Sequence, residues 1–242
     1  MPPIYAVGDI HGQYDMLETA LQRIEADGGP DSKIVFLGDL VDRGPGSAKV
    51  IQRLMEGQAA GRDWTILCGN HDDLFHGFVS KGIDLDPRVL SGVPWTGPRI
   101  GGRATLESYG MSDLDRPTDE LIAEAQQTVP QAHLDFLANL PTHLLLGDLL
   151  FVHAGIRPGI SLQNQNPDDL MWIRGEFLND PRPHPWLVVH GHTAVQAPEH
   201  RGNRVNLDGG AGYGRPLTTA IFEGQKVWTL DVFGRAELLP SA

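Results

Sequence analysis

The feature that most constrains the fold is an apolar run followed by a polar, glycine-containing loop, repeated three times near the start of the chain. The apolar runs lie at 4–7, 34–37 and 64–68 and predict short buried strands. Apolar residues at helical spacing follow the loops. Strands that alternate with helices indicate a layered α/β architecture, in which the polar loops gather at the carboxyl ends of neighbouring strands. We expect a ligand site at that edge of the sheet.

The alternation breaks within the segment 74–140. Glycine and proline are frequent around Trp95, and helical patterns follow at about 103–109, 118–127 and 130–139. We interpret 74–140 as an inserted, mostly helical cap.

The second half of the chain is rich in predicted strands. Runs at 144–146 and 149–152 flank a tight Gly-Asp turn, which is a hairpin signal. Further strands are predicted at 187–190, 204–207, 217–223 and 226–232. The predicted fold class is therefore α/β, in a four-layer α+β arrangement with a central two-sheet β-sandwich flanked by helices. We expect a single domain over 1–242 that carries the insertion.

Composition argues against several classes of protein. The net charge of −12 disfavours a partner held by its phosphate backbone, so we expect no nucleic acid. Cys68 is the single cysteine, which excludes an intrachain disulfide and a cluster of thiolate metal ligands. The first residues lack the pattern of a signal peptide, and no apolar run reaches transmembrane length. We therefore expect a cytoplasmic protein with no membrane partner.

Five predicted strand ends carry side chains that can bind metal ions, and the loop at each of these strand ends contains or adjoins a glycine. These side chains are Asp9, His11, Asp39, Asp42, Asn70, His71, His153 and His192. One charged loop alone, such as 38–44, is equally compatible with a helix-capping turn, and a lone histidine is usually structural. Repetition over five loops favours a metal site, and its carboxylate, imidazole and amide groups suit Mn, Fe or Zn. The glycine fingerprint of a dinucleotide fold is missing, which argues against a nicotinamide cofactor.

The motifs at these strand ends resemble a known family. In order and spacing they match the phosphoprotein phosphatase branch of the calcineurin-like metallophosphoesterases, with GDIHG at 8–12, GDLVDRG at 38–44, GNHD at 69–72, HAG at 153–155 and GH at 191–192. Asp72 departs from eukaryotic serine/threonine phosphatases, which carry Glu there. In this respect the chain is similar to bacterial members, which include symmetrical diadenosine tetraphosphate hydrolases.

The resemblance implies an enzyme with two metal ions. Asp9, His11 and Asp39 would hold the first ion. Asp39 would bridge to the second ion, which Asn70, His153 and His192 would also hold. A hydroxide between the two ions would attack the phosphorus directly, without a phosphoenzyme. Mn is the first choice for both ions, with Fe and Zn as alternatives.

The resemblance also implies roles for the residues around the metals. His71 would protonate the leaving group as general acid, oriented by Asp42. Arg43 would bind phosphate oxygens through two guanidinium nitrogens, and Asn70 would contact the same phosphate. The segment 171–174 resembles the Trp-x-Arg segment of bacterial and phage members, so Arg174 is the second phosphate-binding arginine. The alternative for Arg174 is a surface salt bridge.

Two further features of the sequence allow more than one interpretation. His190 shares a loop with His192 and is interpreted as a supporting or structural residue. The glycine-rich loop at 208–214 resembles a late segment of bacterial relatives. Tyr213 within it either edges the substrate cleft or belongs to a structural turn.

The substrate is the least constrained part of the prediction. The first prediction is a protein serine/threonine phosphatase, and the alternative is a symmetrical dinucleoside tetraphosphate hydrolase or another small-molecule phosphoesterase. Discrimination is expected in 74–140 and at a cleft mouth around Trp95, where Arg88, Arg99 and Arg103 are available to bind further phosphates. A non-catalytic binding protein would lack a metal ligand or the general acid, and this chain lacks neither.

Overall fold

The computed structural model describes residues 2–241 of the chain. Its strands are β1 (Ile4–Val7), β2 (Lys33–Phe36), β3 (Trp64–Ile66), β4 (His143–Leu146), β5 (Leu149–Val152), β6 (Leu187–His190), β7 (Glu199–His200), β8 (Arg204–Asn206), β9 (Thr219–Glu223), β10 (Lys226–Asp231) and β11 (Gly234–Glu237). Its α-helices are α1 (Tyr14–Gly28), α2 (Ser47–Ala59), α3 (Asn70–Lys81), α4 (Gly102–Ser108), α5 (Thr118–Thr128), α6 (Gln131–Ala138), α7 (Pro167–Trp172) and α8 (Gly175–Leu178). Two short 3₁₀ helices cover Leu162–Asn164 and Ala211–Tyr213.

The strands form two sheets. The six-stranded sheet has the order β11-β10-β9-β1-β2-β3, and the five-stranded sheet has the order β4-β5-β6-β8-β7. Strands β1, β2 and β3 are parallel to one another, and so are β5, β6 and β8. Parallel strands place their carboxyl ends at one edge, so each sheet has an edge at which successive loops meet.

Alternating side chains along the strands build four layers. On β1, Ile4 and Ala6 pack into the core between the two sheets, whereas Tyr5 and Val7 pack against the helices. The outer face of the six-stranded sheet shares one hydrophobic core with α1 to α6, and that of the five-stranded sheet packs with the segment that contains α7 and α8. This arrangement confirms the predicted fold class, a two-sheet sandwich flanked by helices.

The structure refines several predicted elements. Helix α3 runs from Asn70 to Lys81, so residues 74–81 belong to the third strand-loop-helix unit. The three later helical patterns are confirmed as α4, α5 and α6. Strands β7 and β11 and helices α7 and α8 were not predicted. Gly46 occupies the N-cap position of α2, and the hydroxyl of Ser47, the first residue of the helix, accepts a hydrogen bond from the Asp42 amide.

Within residues 2–241, the structure contains no helix that is both long enough and apolar enough to cross a bilayer.

Candidate active site

The predicted site residues lie together where the two sheets meet. They follow the carboxyl ends of β1, β2 and β3 in one sheet and of β5 and β6 in the other. The buried side chains there include Asp9, His11, Asp39, Asp42, Asn70, His71, His153 and His192. So many buried polar groups at one place are costly unless charges and hydrogen bonds compensate for them.

The backbone at these loops is held in an unusual conformation. Five non-glycine site residues have positive φ angles, namely His11 (47°), Asp39 (51°), Asp42 (73°), Arg43 (69°) and His192 (65°). Among residues 2–241, Asp113 is the one other non-glycine residue with a positive φ. Such conformations cost about 1–3 kcal/mol each and persist at functional sites, where the surrounding structure holds them.

Two glycines allow the loops to approach one another closely. A Cβ at Gly191 would lie 1.9 Å from Asp9 Oδ1, and a Cβ at Gly69 would lie 2.2 Å from Asp39 Oδ1. Any side chain at either position would displace a site carboxylate.

Asp39 lies at the centre of the cluster. Its Oδ1 is 3.3 Å from His153 Nε2, and its Oδ2 is 3.6 Å from His11 Nε2. The His71 amide donates a hydrogen bond to Oδ1 over 2.9 Å. Potential ligand atoms of Asp39, His153 and His192 lie within 4.8 Å of one another, and so do those of Asp39, His11 and His71. Asp39 therefore belongs to both groups of side chains that could hold a metal ion.

The tautomers of two histidines indicate that a cation fits this cluster. His11 Nδ1 donates to the Val41 carbonyl over 2.8 Å, and His153 Nδ1 donates to the Leu37 carbonyl over 2.9 Å. A neutral imidazole that donates from Nδ1 presents a lone pair at Nε2. Both Nε2 atoms lie near oxygens of Asp39. A lone pair beside a carboxylate is repelled unless a positive charge lies near it. At His11 the Arg43 guanidinium supplies that charge, and at His153 a bound cation would supply it. Backbone-oriented imidazoles of this kind are typical of metal-ligating histidines.

Asn70 and His192 complete the second group. Asn70 Oδ1 lies 2.7 Å from His192 Nδ1 and 3.1 Å from His153 Nε2. Among residues 2–241, His192 Nε2 and Asp9 Oδ1 are buried without a hydrogen-bond partner, although Asp9 Oδ2 accepts from the His192 amide over 2.9 Å. An unpartnered buried carboxylate oxygen such as Asp9 Oδ1 is what a metal site offers before an ion binds.

The directions of the pKa shifts also favour a cation at this cluster. Burial lowers the pKa values of His11, His153 and His192, so these imidazoles are neutral and able to donate lone pairs. Burial, followed by the charges of Asp208 and Asp39, raises the pKa of Asp9. A nearby cation would keep the Asp9 carboxylate ionised.

His71 and Asp42 form a buried pair. His71 Nδ1 donates to Asp42 Oδ2 over 2.6 Å, which is the pairing that the family resemblance implies. Although His71 also lies within ligand distance of His11 and Asp39, its engagement with Asp42 distinguishes it from them. The pairing fits an oriented acid better than a metal ligand.

Two further donors to Asp42 come from the segment 74–140 and were missed in the sequence. Trp95 Nε1 donates to Asp42 Oδ2 over 2.9 Å. Thr105 Oγ1 donates to Asp42 Oδ1 over 2.7 Å and accepts from the Asp42 amide over 2.8 Å. The Trp95 side chain itself is only 1% exposed and packs in the core against Phe75 and Phe78. Residues on either side of it in sequence, such as Leu90 and Arg99, line a surface cleft. No local sequence pattern marks either donor.

Arg43 extends across the open side of the cluster. Its Nη1 donates to His11 Nε2 over 2.6 Å, and its Nη2 lies 3.1 Å from His71 Nε2. The guanidinium also packs over the Tyr213 ring, 4.7 Å from its centroid. Tyr213 thus lies at the edge of the cleft, as one of the two interpretations of its loop expected.

A cleft of about 310 Å³ opens beside these residues. Arg43, Asn70, His71 and Tyr213 line it at the cluster end, and Arg174 lines it from the segment after α7. We call it the arginine cleft. A larger surface depression of about 640 Å³ lies beside α2 and contains none of the predicted site residues, so size alone does not identify the site.

Of the arginines expected to bind further phosphates, two are already paired. Arg88 contacts carboxylate oxygens of Asp86, Asp73 and Asp168 at 2.7, 2.5 and 2.9 Å. Arg103 pairs with Asp115 at 2.6 Å and does not line the arginine cleft. Arg99 does line the cleft.

Two other residues support the loops. Asp72 accepts hydrogen bonds from the Leu40 amide (2.8 Å) and the Gly69 amide (2.9 Å), and so connects two of the site loops. His190 is buried against Phe177 on the outer side of its sheet, which agrees with a structural role.

Comparison with known proteins identifies the family. Residues 2–214 match the family model described as calcineurin-like phosphoesterase. The chain belongs to this family. As a member of it, the chain is a metallophosphoesterase, and the family's dependence on two metal ions agrees with the two groups of ligand atoms around Asp39.

Curated relatives carry names that refer to nucleotide substrates. A bis(5'-nucleosyl)-tetraphosphatase PrpE [asymmetrical] from Bacillus subtilis (strain 168) is 27% identical over 88% of this chain and 87% of its own length. A bis(5'-nucleosyl)-tetraphosphatase, symmetrical, from Delftia acidovorans is 31% identical over 72% of this chain and 50% of its own length.

Solved structures share the fold. A crystal structure of a candidate diadenosine tetraphosphatase has a TM-score of 0.66 and 23% identity, and covers 99% of this chain and 95% of its own. The cold-active protein-tyrosine phosphatase of a psychrophilic Shewanella species has a TM-score of 0.63 and 18% identity. The match covers 99% of this chain and 81% of the phosphatase chain. At these identities the likeness shows the fold alone.

Proposed function

We propose that this metallophosphoesterase hydrolyses dinucleoside polyphosphates at the Asp39 cluster. Asp9, His11 and Asp39 would hold one metal ion, and Asp39, Asn70, His153 and His192 would hold the other. The observation that carries the metal site is the approach of the Nε2 atoms of His11 and His153 to the two different oxygens of Asp39, which places Asp39 in both groups of potential ligands. When bound, the two ions supply Lewis acidity at the phosphoryl group and lower the pKa of water.

His71 is proposed as the general acid. Its Nδ1 is held by Asp42, so Nε2 is the nitrogen that can carry a proton to a leaving oxygen. In the structure that Nε2 faces Arg43 Nη2. Movement of the Arg43 guanidinium onto a substrate phosphate would release Nε2 to take up and donate the proton. The buried setting of Asp42, with donors from Trp95 and Thr105, keeps the imidazole in one orientation.

Arg43, Asn70 and Arg174 are proposed to bind the reacting phosphate. All three line the arginine cleft, and among residues 2–241 neither arginine forms an ion pair with a carboxylate. The surface salt bridge considered for Arg174 therefore has no support. A free guanidinium offers two parallel hydrogen bonds to phosphate oxygens, which a lysine cannot provide.

The substrate class rests on two supports. The names of the curated relatives refer to nucleoside tetraphosphates, and the cleft contains more unpaired arginines than a single phosphate requires. A protein serine/threonine phosphatase remains the second candidate, because the five strand-end motifs also match that branch of the family.

A substrate panel with added Mn²⁺ tests the proposal. The panel compares diadenosine tetraphosphate, a phosphoserine peptide, a phosphothreonine peptide and p-nitrophenyl phosphate by kcat/KM. We expect the highest value for diadenosine tetraphosphate. Product analysis then separates symmetrical cleavage, which yields two ADP, from asymmetrical cleavage, which yields ATP and AMP. A higher kcat/KM for either phosphopeptide would favour the second candidate.

Mn²⁺ is proposed as the ion at both positions, with Fe and Zn as alternatives. The donor set of carboxylates, imidazoles and one amide contains no sulfur and suits all three metals. Activity of the metal-depleted protein after separate addition of each ion distinguishes them.

A further inference from the structure

The arginine cleft continues beyond the residues that would bind the reacting phosphate. From Arg43 and His71 it extends to Leu90, Ser91 and Arg99 in the segment 74–140. A phosphate monoester has nothing to place in this outer part except its alcohol group. A polyphosphate chain would enter it with its remaining phosphates.

The outer part of the cleft is positively charged although the protein as a whole is acidic. The chain has a net charge of −12, yet none of the residues that line the cleft is Asp or Glu. Arg88 lines the cleft as well, but three carboxylates neutralise it. Among residues 2–241, Arg99 forms neither an ion pair nor a side-chain hydrogen bond, so its charge is available to a ligand.

The backbone holds Arg99 beside the site loop. Arg99 lies within a turn in which the Gly101 amide donates to the Gly97 carbonyl over 2.9 Å. The Gly101 carbonyl in turn accepts from the Arg43 amide over 3.1 Å. Gly101 has a φ of +93°, and a Cβ there would lie 2.8 Å from the Arg43 backbone, so the two segments can touch only at glycine. This contact ties Arg99 to the loop that carries Arg43.

We propose that Arg99 forms a subsite for the phosphates of a polyphosphate chain that lie beyond the reacting one. Its ligand is a linear anion with at least two linked phosphates, and its effect is to favour such substrates over phosphate monoesters. This inference rests on the proposed function, because it requires the reacting phosphate to be bound by Arg43 and Arg174.

Inhibition by inorganic phosphates tests the subsite. Hydrolysis of p-nitrophenyl phosphate by the Mn²⁺-loaded enzyme is measured with added orthophosphate or tripolyphosphate, at a fixed concentration of free Mn²⁺. The variants are Arg99→Gln and, as a matched control, Arg103→Gln, whose guanidinium is paired with Asp115 outside the cleft. Tripolyphosphate also chelates Mn²⁺, but this effect would be the same for the wild type, Arg99→Gln and Arg103→Gln. It would therefore not change the comparison among them.

We expect tripolyphosphate to inhibit the wild-type enzyme at a lower concentration than orthophosphate does. In Arg99→Gln the ratio of the two inhibition constants should fall by about tenfold or more, as for loss of one charge-assisted hydrogen bond. In Arg103→Gln the ratio should remain that of the wild type. An unchanged ratio in Arg99→Gln, or equal inhibition of the wild type by both anions, would overturn the subsite.

Hydrolysis of diadenosine tetraphosphate tests the proposed function separately from the Arg99 subsite. If the wild type hydrolyses it, kcat/KM for this substrate should fall in Arg99→Gln and not in Arg103→Gln. If the wild type does not hydrolyse it, the proposed function fails, while the inhibition constants still decide whether Arg99 binds a polyphosphate.

Discussion

Replacing Thr105 by Val isolates the hydroxyl that supports Asp42. The two side chains have nearly the same shape, so Thr105→Val removes the hydrogen bonds without leaving a cavity. Thr105 is fully buried, and its hydroxyl contacts both Oδ1 and the amide of Asp42. Ser47 Oγ, at 3.2 Å, remains as a second acceptor for that amide, but Oδ1 loses its hydroxyl donor.

The expected loss of stability in Thr105→Val follows from the charge on Asp42. A hydrogen bond to a charged group contributes about 1.5–3 kcal/mol to the free energy of unfolding. For a chain of this length, 1 kcal/mol shifts Tm by about 2–4 °C, so Thr105→Val should lower Tm by about 3–12 °C. If the hydroxyl also orients the Asp42–His71 pair, kcat should fall by about tenfold, which corresponds to about 1.4 kcal/mol of transition-state stabilisation.

The assay combines thermal unfolding with steady-state kinetics on p-nitrophenyl phosphate. Thr65→Val on β3 is the control, because it makes the same change at a threonine whose side chain forms no hydrogen bond among residues 2–241. Metal content is measured in parallel and should equal that of the wild type. A Thr105→Val enzyme with lowered Tm and wild-type kcat would refute the claim that the hydroxyl orients the pair.

Two more substitutions test other parts of the structure. His71→Asn should lower kcat by about 100- to 10,000-fold, as loss of a positioned general acid does, and leave the metal content unchanged; wild-type kcat would contradict the assignment. Burial and the hydrogen bond to Asp27 raise the pKa of Tyr5 to about 12, so the folded state keeps a proton that the unfolded state releases near pH 10. Stability should therefore fall as the pH rises from about 10 to about 12, and Tyr5→Phe should remove that part of the fall in Tm. An equal fall in Tm over this pH range in the wild type and in Tyr5→Phe would contradict this role of Tyr5.

Much of the fold was predictable because its signals are local. The apolar runs that became β1, β2 and β3 are each followed by a glycine and a polar side chain within a few residues. Strand β11 was missed because Gly234–Glu237 contains two charged residues and no apolar run, as an exposed edge strand does. Its pairing with β10 depends on the neighbouring strand rather than on its own side chains.

The parts of the site that were missed depend on contacts distant in sequence. Trp95 and Asp42 are 53 positions apart, and nothing near Trp95 indicates a buried carboxylate as its partner. Arg88 was expected to be free, and its pairing with Asp168 joins residues 80 positions apart. Arg99, by contrast, lines the cleft without a carboxylate partner among residues 2–241. The sequence alone could not show that Arg88 is paired and Arg99 is not.

The central claim is that Asp39 joins two metal ions in a hydrolytic site, and elemental analysis tests it most directly. The purified wild-type protein, incubated with Mn²⁺ and freed of excess ion, should carry two ions per chain. Asp39→Asn should lose metal occupancy and activity together. Asp63→Asn, which alters an exposed carboxylate paired with Lys33, should retain both. An Asp39→Asn protein that retains two ions and wild-type activity would contradict the account.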